Sequence, residues 1–390
     1  MYIKKSVLVV CSILLIITTS FLTIGAVNPF GFSNFDDFMK FSYVSKLTAD
    51  FYYEDIDPAE YMNMALLGMS AAPKDPYTRY FYGEEASAYS EELSGTYHGI
   101  GLYIENCTTD NTVRVVSAIS GTPAEAAGIV TGDKILKIAG EPITGEQLNE
   151  ASKKMRGAAG SKISIEVLKV TTGEAVTLDV ERKEIKQNSV TGTMVTDSIG
   201  RLNISQFLEG TSEEFNAAFQ DLKTKGMKSL IIDLRNNPGG FLDDAVEISD
   251  IFIEKDKTIV YTMDKSKHRE NYDATEGAEN IPIVILTNGG SASASEVLAG
   301  ALKDYGKATL IGEKTYGKGI IQSVFPIGDE GMLSVTVAKY YTPNGVCIHG
   351  EGLIPDIVVP MAMEKYAKLS TLAPEQDEQL QAAIVQLNKK

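Results

Sequence analysis

The stretch SLIIDLRNNPGG, Ser229–Gly240, decides the fold of this chain. Its first part, Ser229–Leu234, is a short apolar run bounded by polar residues, which is typical of a buried strand. The amphipathic pattern of Phe241–Ile253 predicts that a helix follows directly. Between them, Gly239 and Gly240 lack a side chain, so the main chain can come close to a bound carbonyl group. The stretch therefore predicts a strand-to-helix junction, where free N–H groups and the helix dipole favour negative charge.

A second junction of the same kind is SASASE, Ser291–Glu296. It lies between an apolar strand predicted over Ile281–Thr287 and a helix predicted over Ser295–Tyr305. Ser293 and Glu296 have the spacing of a capping box, in which the two residues satisfy each other's N–H groups at a helix start. On this evidence alone, the segment predicts a helix cap.

The serines of this junction are also candidate nucleophiles. An oxyanion formed by attack there could be held by main-chain N–H groups near Gly239-Gly240 and Ala294. Ser291 and Ser295 offer the same hydroxyl group as Ser293, so the local chemistry does not choose among the three.

Further strands and helices surround the two junctions. Arg201–Phe207 is strand-like and Glu213–Leu222 has the pattern of an amphipathic helix. Strands that alternate with helices across residues 185–360 predict an α/β core with a largely covered sheet. The polar tail, residues 361–390, is predicted to be helical.

A candidate base follows the second junction. Lys318 lies between two glycines ahead of an apolar strand, Val324–Ile327, and side-chain alternation along a strand places Gln322 on the same face as Lys318. A free lysine is protonated at neutral pH, but burial disfavours the ammonium form. We therefore hypothesise that Lys318 is buried, partly neutral and able to take the proton of a serine at the second junction. A solvated surface lysine is the alternative.

A histidine base would be the usual partner of a serine nucleophile. The chain has only His98, His268 and His349. None of them lies where the sequence links it to Ser293.

Residues 89–184 differ from the core in their sequence pattern, which has short β-like runs separated by turns. Thr144 and Gln147 form a capping box for a helix that ends near Arg156. The strand candidates are Ile100–Ile104, Thr112–Ile119, Lys134–Ile138 and Ser161–Val170.

This region resembles a PDZ domain. The resemblance rests on Gly99-Ile100-Gly101-Leu102, which matches the carboxylate-binding loop of that family, and on the pattern Gly121–Ile135. Gly99 and Gly101 can turn several N–H groups toward one point, and such a concavity binds a carboxylate. An extended peptide would then add to the adjoining strand edge.

The N-terminal part contains two segments. Residues 29–88 are predicted to be mostly helical, as a cap or dimerisation element. Within residues 1–28, the 22 residues Ser6–Val27 carry no charge and follow Lys4 and Lys5. That length predicts a transmembrane anchor with the rest of the chain outside the cytoplasm, although a cleaved signal peptide is the alternative.

Composition excludes some classes of function. Of the 390 residues, 44% are hydrophobic and 23% are charged, which is typical of a folded protein. The net charge of −16 argues against nucleic acid as a partner. No metal-binding motif occurs, so no cofactor is expected, and Cys107 and Cys347 are predicted to be unpaired.

Together the motifs resemble the carboxyl-terminal processing protease family, which includes tail-specific proteases. The resemblance covers nearly the whole chain below the predicted anchor and rests on the following motifs: Asp75–Tyr80, the PDZ pattern, Ile204–Phe207, Asp233–Gly240, Ser291–Glu296, Gly312–Gly319, Tyr341–Gly345 and Pro355-Asp356. It implies an α/β core of crotonase/Clp-like ββα units with an inserted PDZ domain, an N-terminal helical cap and a membrane anchor.

The resemblance also implies roles for residues and partners. Ser293 would be the nucleophile, Lys318 the general base and Gln322 the residue that orients it. The substrates would be proteins or peptides with apolar C-termini, and the PDZ domain would bind those C-termini and gate activity, with Arg156 as a sensor. The terminal helical segments would form a homodimer. A non-catalytic PDZ scaffold that captures C-terminal peptides, or an esterase-like hydrolase, is the alternative.

Overall fold

The computed structural model describes residues 35–389 except 276, 278, 367, 368, 370 and 371. The predicted anchor or signal segment, residues 1–28, lies outside the described residues. Within the described ranges, no helix combines the length and the apolar character that a membrane span requires.

Strands and helices are numbered here in chain order. The strands are β1 (Arg79–Tyr82), β2 (Thr96–Gly99), β3 (Leu102–Cys107), β4 (Thr112–Ala118), β5 (Lys134–Ile138), β6 (Glu141–Pro142), β7 (Lys162–Leu168), β8 (Ala175–Glu181), β9 (Lys183–Lys186), β10 (Val190–Met194), β11 (Ile199–Ile204), β12 (Ser229–Asp233), β13 (Thr258–Asp264), β14 (Arg269–Asp273), β15 (Ile283–Thr287), β16 (Ala308–Gly312), β17 (Ile320–Ile327), β18 (Gly331–Tyr341) and β19 (Ile357–Val358). The helices are α1 (Phe35–Phe51), α2 (Pro58–Ala71), α3 (Gly83–Ser94), α4 (Pro123–Ala126), α5 (Leu148–Met155), α6 (Thr211–Thr224), α7 (Leu242–Asp250), α8 (Ala294–Asp304), α9 (Met363–Tyr366) and α10 (Glu378–Leu387).

Helices α1 and α2 belong to a separate compact unit that ends at Ala72. Asp57 caps α2 by accepting the Ala59 N–H at 2.8 Å, and Pro58 occupies the first helical position, where its missing N–H is not needed. Large apolar side chains such as Phe51 and Tyr53 remain exposed on this unit.

The second unit, Pro73–Lys390, contains the α/β core. Its main sheet has the order β10-β11-β12-β15-β16-β19, in which β10 is antiparallel to β11 and the other pairs are parallel. Helices α6, α7 and α8 cover one face through Phe215, Ile248 and Leu298. Helix α10 covers the other face through Leu380 and Leu387. The α/β core is thus observed, and the two junctions of the sequence lie at the carboxyl ends of β12 and β15.

A second sheet lies on this core. Strand β18 pairs with β17 along one edge and with β1 and β13 along the other, and β14 pairs with β13. Strand β1 comes from the segment predicted to be a helical cap. Residues 79–82 therefore contribute directly to this second sheet, which the helical pattern of residues 29–88 did not indicate.

The region of residues 89–184 forms its own sheet in the order β3-β4-β5-β7-β8, packed on α5. Strand β2 pairs with β9, so the chain enters and leaves this sheet through one two-stranded ribbon. The Thr144–Gln147 capping box is present, with the Thr144 N–H donating to Gln147 Oε1 at 3.2 Å. The ribbon makes this region an insertion between β1 and the main sheet.

Candidate active site

The loop before α8 holds Ser293 in a strained conformation. Its φ of 55° and ψ of −118° are rarely adopted by a residue with a side chain. Such strain persists only where the surroundings impose it, and it is common at functional sites. A side chain at Gly239 would lie 2.6 Å from Ser293 Cβ, so the glycine is needed for the two junctions to touch. The fold therefore brings both junctions to one place.

The structure distinguishes the three serines. Ser291 Oγ donates to the Leu234 carbonyl at 2.7 Å, and Ser295 Oγ donates to the Asn237 carbonyl at 3.1 Å. Both side chains are fully buried and join the two junctions. Ser293 is half-buried and lines a cavity of about 460 Å³. Of the three serines, Ser293 is the one that lines this cavity.

Glu296 is a helix cap and also a link between two loops. Its carboxylate accepts the Ser293 N–H at 3.0 Å, as the capping box predicts, and also the Gly317 and Lys318 N–H groups at 2.8 Å each. The Thr315 hydroxyl donates to it at 2.5 Å. Glu296 is completely buried, and this burial raises its pKa although all four donors act against the shift. One carboxylate thus fixes the serine turn relative to the lysine loop.

Lys318 lines the same cavity as Ser293. The side chain is half-buried rather than buried, which differs from the sequence-based hypothesis. Its Nζ lies 4.6 Å from the centroid of the Tyr77 ring, within the range of a cation–π contact. The Tyr77 hydroxyl is hydrogen-bonded to Tyr316, and this bond together with burial raises its pKa to about 12. The motif Asp75–Tyr80 therefore reaches the site, although its spacing alone gave it no role.

Gln322 lines the cavity together with Lys318, as predicted, but strand alternation does not account for it. Strand β17 begins only at Ile320, so Lys318 lies outside the strand. The pairing with β18 shifts register just before Gln322, where the extra residue is Val337 of β18. Gln322 Nε2 donates to Thr336 Oγ1 at 3.3 Å.

The glycine loop supplies main-chain groups beside Ser293. Gly240 and Ala294 line the cavity. The Gly239 N–H donates to Asn237 Oδ1 at 2.9 Å, so it is already engaged. Gly240 has a φ of 140°, and a side chain there would lie 1.9 Å from the Phe207 carbonyl oxygen. Only glycine fits at this position.

A buried ion-pair cluster holds the base of the same loop. Arg235 donates to Asp233 at 2.6 and 2.8 Å and to Asp377 at 2.8 and 2.9 Å. Arg201 also pairs with Asp233 at 2.8 Å. Burial opposes ionisation of Asp233, but the two arginines hold its pKa below the ordinary value. Because Asp377 caps α10, the cluster ties the loop to the C-terminal helix.

None of the three histidines belongs to the residues that line the cavity. His98 and His268 are exposed on β2 and on the turn between β13 and β14. The main chain of His349 packs against Gly319, while its side chain is exposed. In the described ranges, no group of three or more His, Cys, Asp or Glu side chains could hold a metal ion.

A second cavity, of about 160 Å³, lies between β3 and α5. Gly99, Ile100, Gly101 and Leu102 all line it, together with Arg156 at the end of α5. Strand β3 is an edge strand among the described strands, so its outer main-chain groups can pair with an added peptide.

Arg156 connects this groove to the rest of the unit. Its guanidinium donates to Glu91 of α3 at 2.6 Å and lies 4.6 Å from the centroid of the Tyr97 ring. Two other residues of α3, Tyr89 and Leu93, line the cavity that contains Ser293. Helix α3 thus contacts Arg156 with one face and the active-site cavity with another.

These features define a class: a serine-type peptidase core joined to a PDZ peptide-binding domain. Residues 198–359 match the model of peptidase family S41, and residues 114–169 match a PDZ domain model. A carboxy-terminal-processing protease from Bartonella bacilliformis is 40% identical over 299 residues, which are 75% of this chain and 68% of that protein. The chain therefore belongs to peptidase family S41, and its resemblance to the carboxyl-terminal processing proteases is confirmed.

Two further comparisons agree. The carboxy-terminal processing protease CtpA of Bacillus subtilis is 36% identical over 322 residues, which are 82% of this chain and 68% of that protein. The solved structure of an S41-type protein from Bacteroides fragilis superposes with a TM-score of 0.55 at 18% identity, over 87% of this chain and 91% of that chain. The latter likeness concerns the fold alone.

Proposed function

We propose that this chain is a serine endopeptidase that cuts protein substrates near their C-termini by means of a Ser293–Lys318 dyad. The observation that carries the proposal is the shared carboxylate of Glu296, which binds the main chain of both residues beside one cavity. The histidines that could replace Lys318 do not line that cavity.

The arrangement supports a two-step mechanism. Lys318, in its neutral form, takes the proton of the Ser293 hydroxyl as the oxygen attacks the scissile carbonyl. The N–H groups of Gly240 and Ala294 stabilise the oxyanion, while Gly239 permits the close contact of the two loops. Lys318 then gives the proton to the leaving amine, and water hydrolyses the acyl-enzyme. Gln322 helps to orient the lysine from the same cavity.

Because Lys318 is half-buried and contacts Tyr77, its neutral form needs further desolvation. A substrate that fills the cavity would supply this by excluding water from the ammonium group. The base would then become active mainly when substrate is bound.

The PDZ groove supports recognition of C-termini. A peptide would pair with the outer edge of β3, and the N–H groups of Gly99–Gly101 would bind its terminal carboxylate. Ile100, Leu102 and Met155 line the groove, which favours an apolar final residue. Arg156 would sense the peptide and, through Glu91 and α3, gate access to Ser293.

The proposals for location and assembly rest on residues that the sequence singles out. The uncharged segment Ser6–Val27 would anchor the chain, or direct its secretion if cleaved, with the peptidase outside the cytoplasm. The exposed apolar side chains of the unit that ends at Ala72 support a homodimer.

A serine-directed acylating probe tests the dyad. The probe is expected to label Ser293, and labelling should disappear in Ser293→Ala. Lys318→Ala should be folded but lose at least about a thousandfold in kcat, since the serine then has no base. Full peptidase activity in Lys318→Ala would refute the mechanism. A protein that binds C-terminal peptides but neither cleaves them nor reacts with the probe would be the scaffold instead.

A further inference from the structure

Tyr340 contacts the loop that carries Lys318, the base of the proposed dyad. It lies near the end of β18, is 2% exposed and lines the active-site cavity. A buried tyrosine needs a partner for its hydroxyl group, and here the hydroxyl donates to the main-chain carbonyl of Lys318. The Tyr340 N–H donates to the Gly319 carbonyl at 3.1 Å. Tyr340 therefore holds two successive peptide groups of the loop that carries the base.

The Tyr340 hydroxyl keeps its proton for this bond. Burial raises its pKa well above the ordinary value, with the Glu296 carboxylate adding to the effect. The single phenol proton is donated to the Lys318 carbonyl. Tyr340 also lines the cavity that contains Ser293.

Glu296 and Tyr340 together hold the loop that carries Lys318. Glu296 binds the N–H groups of Gly317 and Lys318, and Tyr340 binds the carbonyl groups of Lys318 and Gly319. Glu296 also accepts the Ser293 N–H, and Tyr340 lines the same cavity as Ser293. Main-chain groups on both sides of Lys318 are thus held by two buried residues beside the serine.

We propose that Tyr340 is a positioning residue for the reaction: its hydroxyl fixes the main chain at Lys318 and so places the lysine side chain for proton transfer from Ser293. The inference rests on the proposed dyad mechanism. Tyr340 exchanges no proton itself, because the serine proton passes to Lys318 and from there to the leaving amine.

Tyr340→Phe tests this by removing only the hydroxyl group. The substrate-binding surface keeps its ring, so KM is expected to stay within about twofold, while kcat falls at least about tenfold because small misplacements of reacting groups are costly. The rate at which the acylating probe labels Ser293 should fall by the same factor. Titration of the active sites with that probe gives the concentration of folded, reactive enzyme, and kcat is calculated from that concentration.

Tyr341→Phe is the matched control. It removes a hydroxyl from the neighbouring residue, which lies on the opposite face of the strand and stacks on Tyr261 with ring centroids 5.0 Å apart. Its kcat should equal that of the unmodified protein. Tyr340→4-aminophenylalanine, which restores an N–H donor at the same place, should recover most of the lost kcat.

Three results would overturn the inference. They are an unchanged kcat in Tyr340→Phe, a rise in KM with no loss of kcat, and no recovery in the folded 4-aminophenylalanine variant. If Tyr340→Phe does not fold, the 4-aminophenylalanine variant decides alone, with near-normal kcat supporting a donor role and low kcat refuting it. If Ser293→Ala and Lys318→Ala are inactive while Tyr340→Phe has normal activity, this inference is refuted and the dyad mechanism stands. If Ser293→Ala is active, both the dyad mechanism and this inference are refuted.

Discussion

The active-site cavity and the contact between the PDZ groove and α3 are held together in opposite ways. Around Ser293, the connecting groups are buried: Glu296 is fully buried and Arg235 is 4% exposed. Between the PDZ sheet and α3, the side chains of the ion pair Arg156–Glu91 are 46% and 33% exposed. Removing one partner from a buried network is costly, whereas exposed ion pairs contribute little. Buried groups thus fix the candidate site, whereas the contact beside it contributes little to stability.

The largest expected effect is that of Glu296→Ala. The change leaves the Thr315 hydroxyl and the N–H groups of Ser293, Gly317 and Lys318 without their acceptor. Since each unpaired buried group costs about 1–3 kcal/mol, we expect the free energy of unfolding to fall by about 4 kcal/mol or more. Peptidase activity should fall at least about a hundredfold, because both loops lose their common support.

Chemical denaturation and peptide turnover measure these effects. Glu330→Ala, in the exposed turn between β17 and β18, is the control and should change neither quantity. A Glu296→Ala protein with normal stability and activity would show that the two loops are held independently of this carboxylate.

Asp233→Asn is expected to have the next largest effect. It removes the negative partner of Arg201 and leaves Arg235 with Asp377 alone, and breaking a buried ion pair costs about 3–5 kcal/mol. Urea denaturation should show this loss, while Asp221→Asn, which removes an exposed i,i+4 pair with Lys225, should lower stability by less than about 0.5 kcal/mol. Equal losses in the two variants would contradict the contrast between buried and exposed pairs.

The pH dependence of stability separates the charge of Asp233 from its packing. Its pKa in the folded protein is below the unfolded value of about 3.9, so its contribution is present above that value and is lost as pH falls through the folded pKa. The free energy of unfolding should therefore drop between about pH 5 and the folded pKa in the unmodified protein. In Asp233→Asn the curve over that interval should be flatter, as measured by denaturation at a series of pH values. Parallel curves would exclude Asp233 as a source of the acid sensitivity.

The sequence predicted the elements of the site better than their contacts. The apolar runs before both junctions and the glycines at 239 and 240 placed a ligand site where strands pass into helices, because these signals are local. The choice of Ser293 over Ser291 and Ser295 came from the family resemblance, since it depends on hydrogen bonds to Leu234 and Asn237 more than fifty residues away.

Other features could not be predicted for the same reason. Tyr77 and Tyr340 reach Lys318 only because β1 and β17 both pair with β18, and strand pairing over such distances leaves no mark in the local pattern. The register shift before Gln322 likewise shows only in the paired strands. The capping-box pattern at Ser293 and Glu296 was recognised. It did not predict that Glu296 also binds the loop at Gly317, because no local signal relates the two residues.

The smallest expected change in stability belongs to the exposed side of the comparison. Arg156→Ala or Glu91→Ala should lower the free energy of unfolding by less than about 1 kcal/mol, and a double-mutant cycle should give a coupling of about 0.2–1 kcal/mol that decreases with added salt. The effect on regulation should be larger: if this pair transmits the state of the groove to α3, either variant should lose most of the activation by a peptide with an apolar C-terminus.

Lys153→Ala is the matched control, because it removes another exposed ion pair between α5 and α3, with Glu84, without touching the groove. Peptide activation that survives in Arg156→Ala and Glu91→Ala, or that is lost equally in Lys153→Ala, would show that the contact is only one of several surface pairs. Loss confined to the Arg156–Glu91 pair would mean that a weak, solvated contact regulates a site whose own geometry is fixed by buried ones.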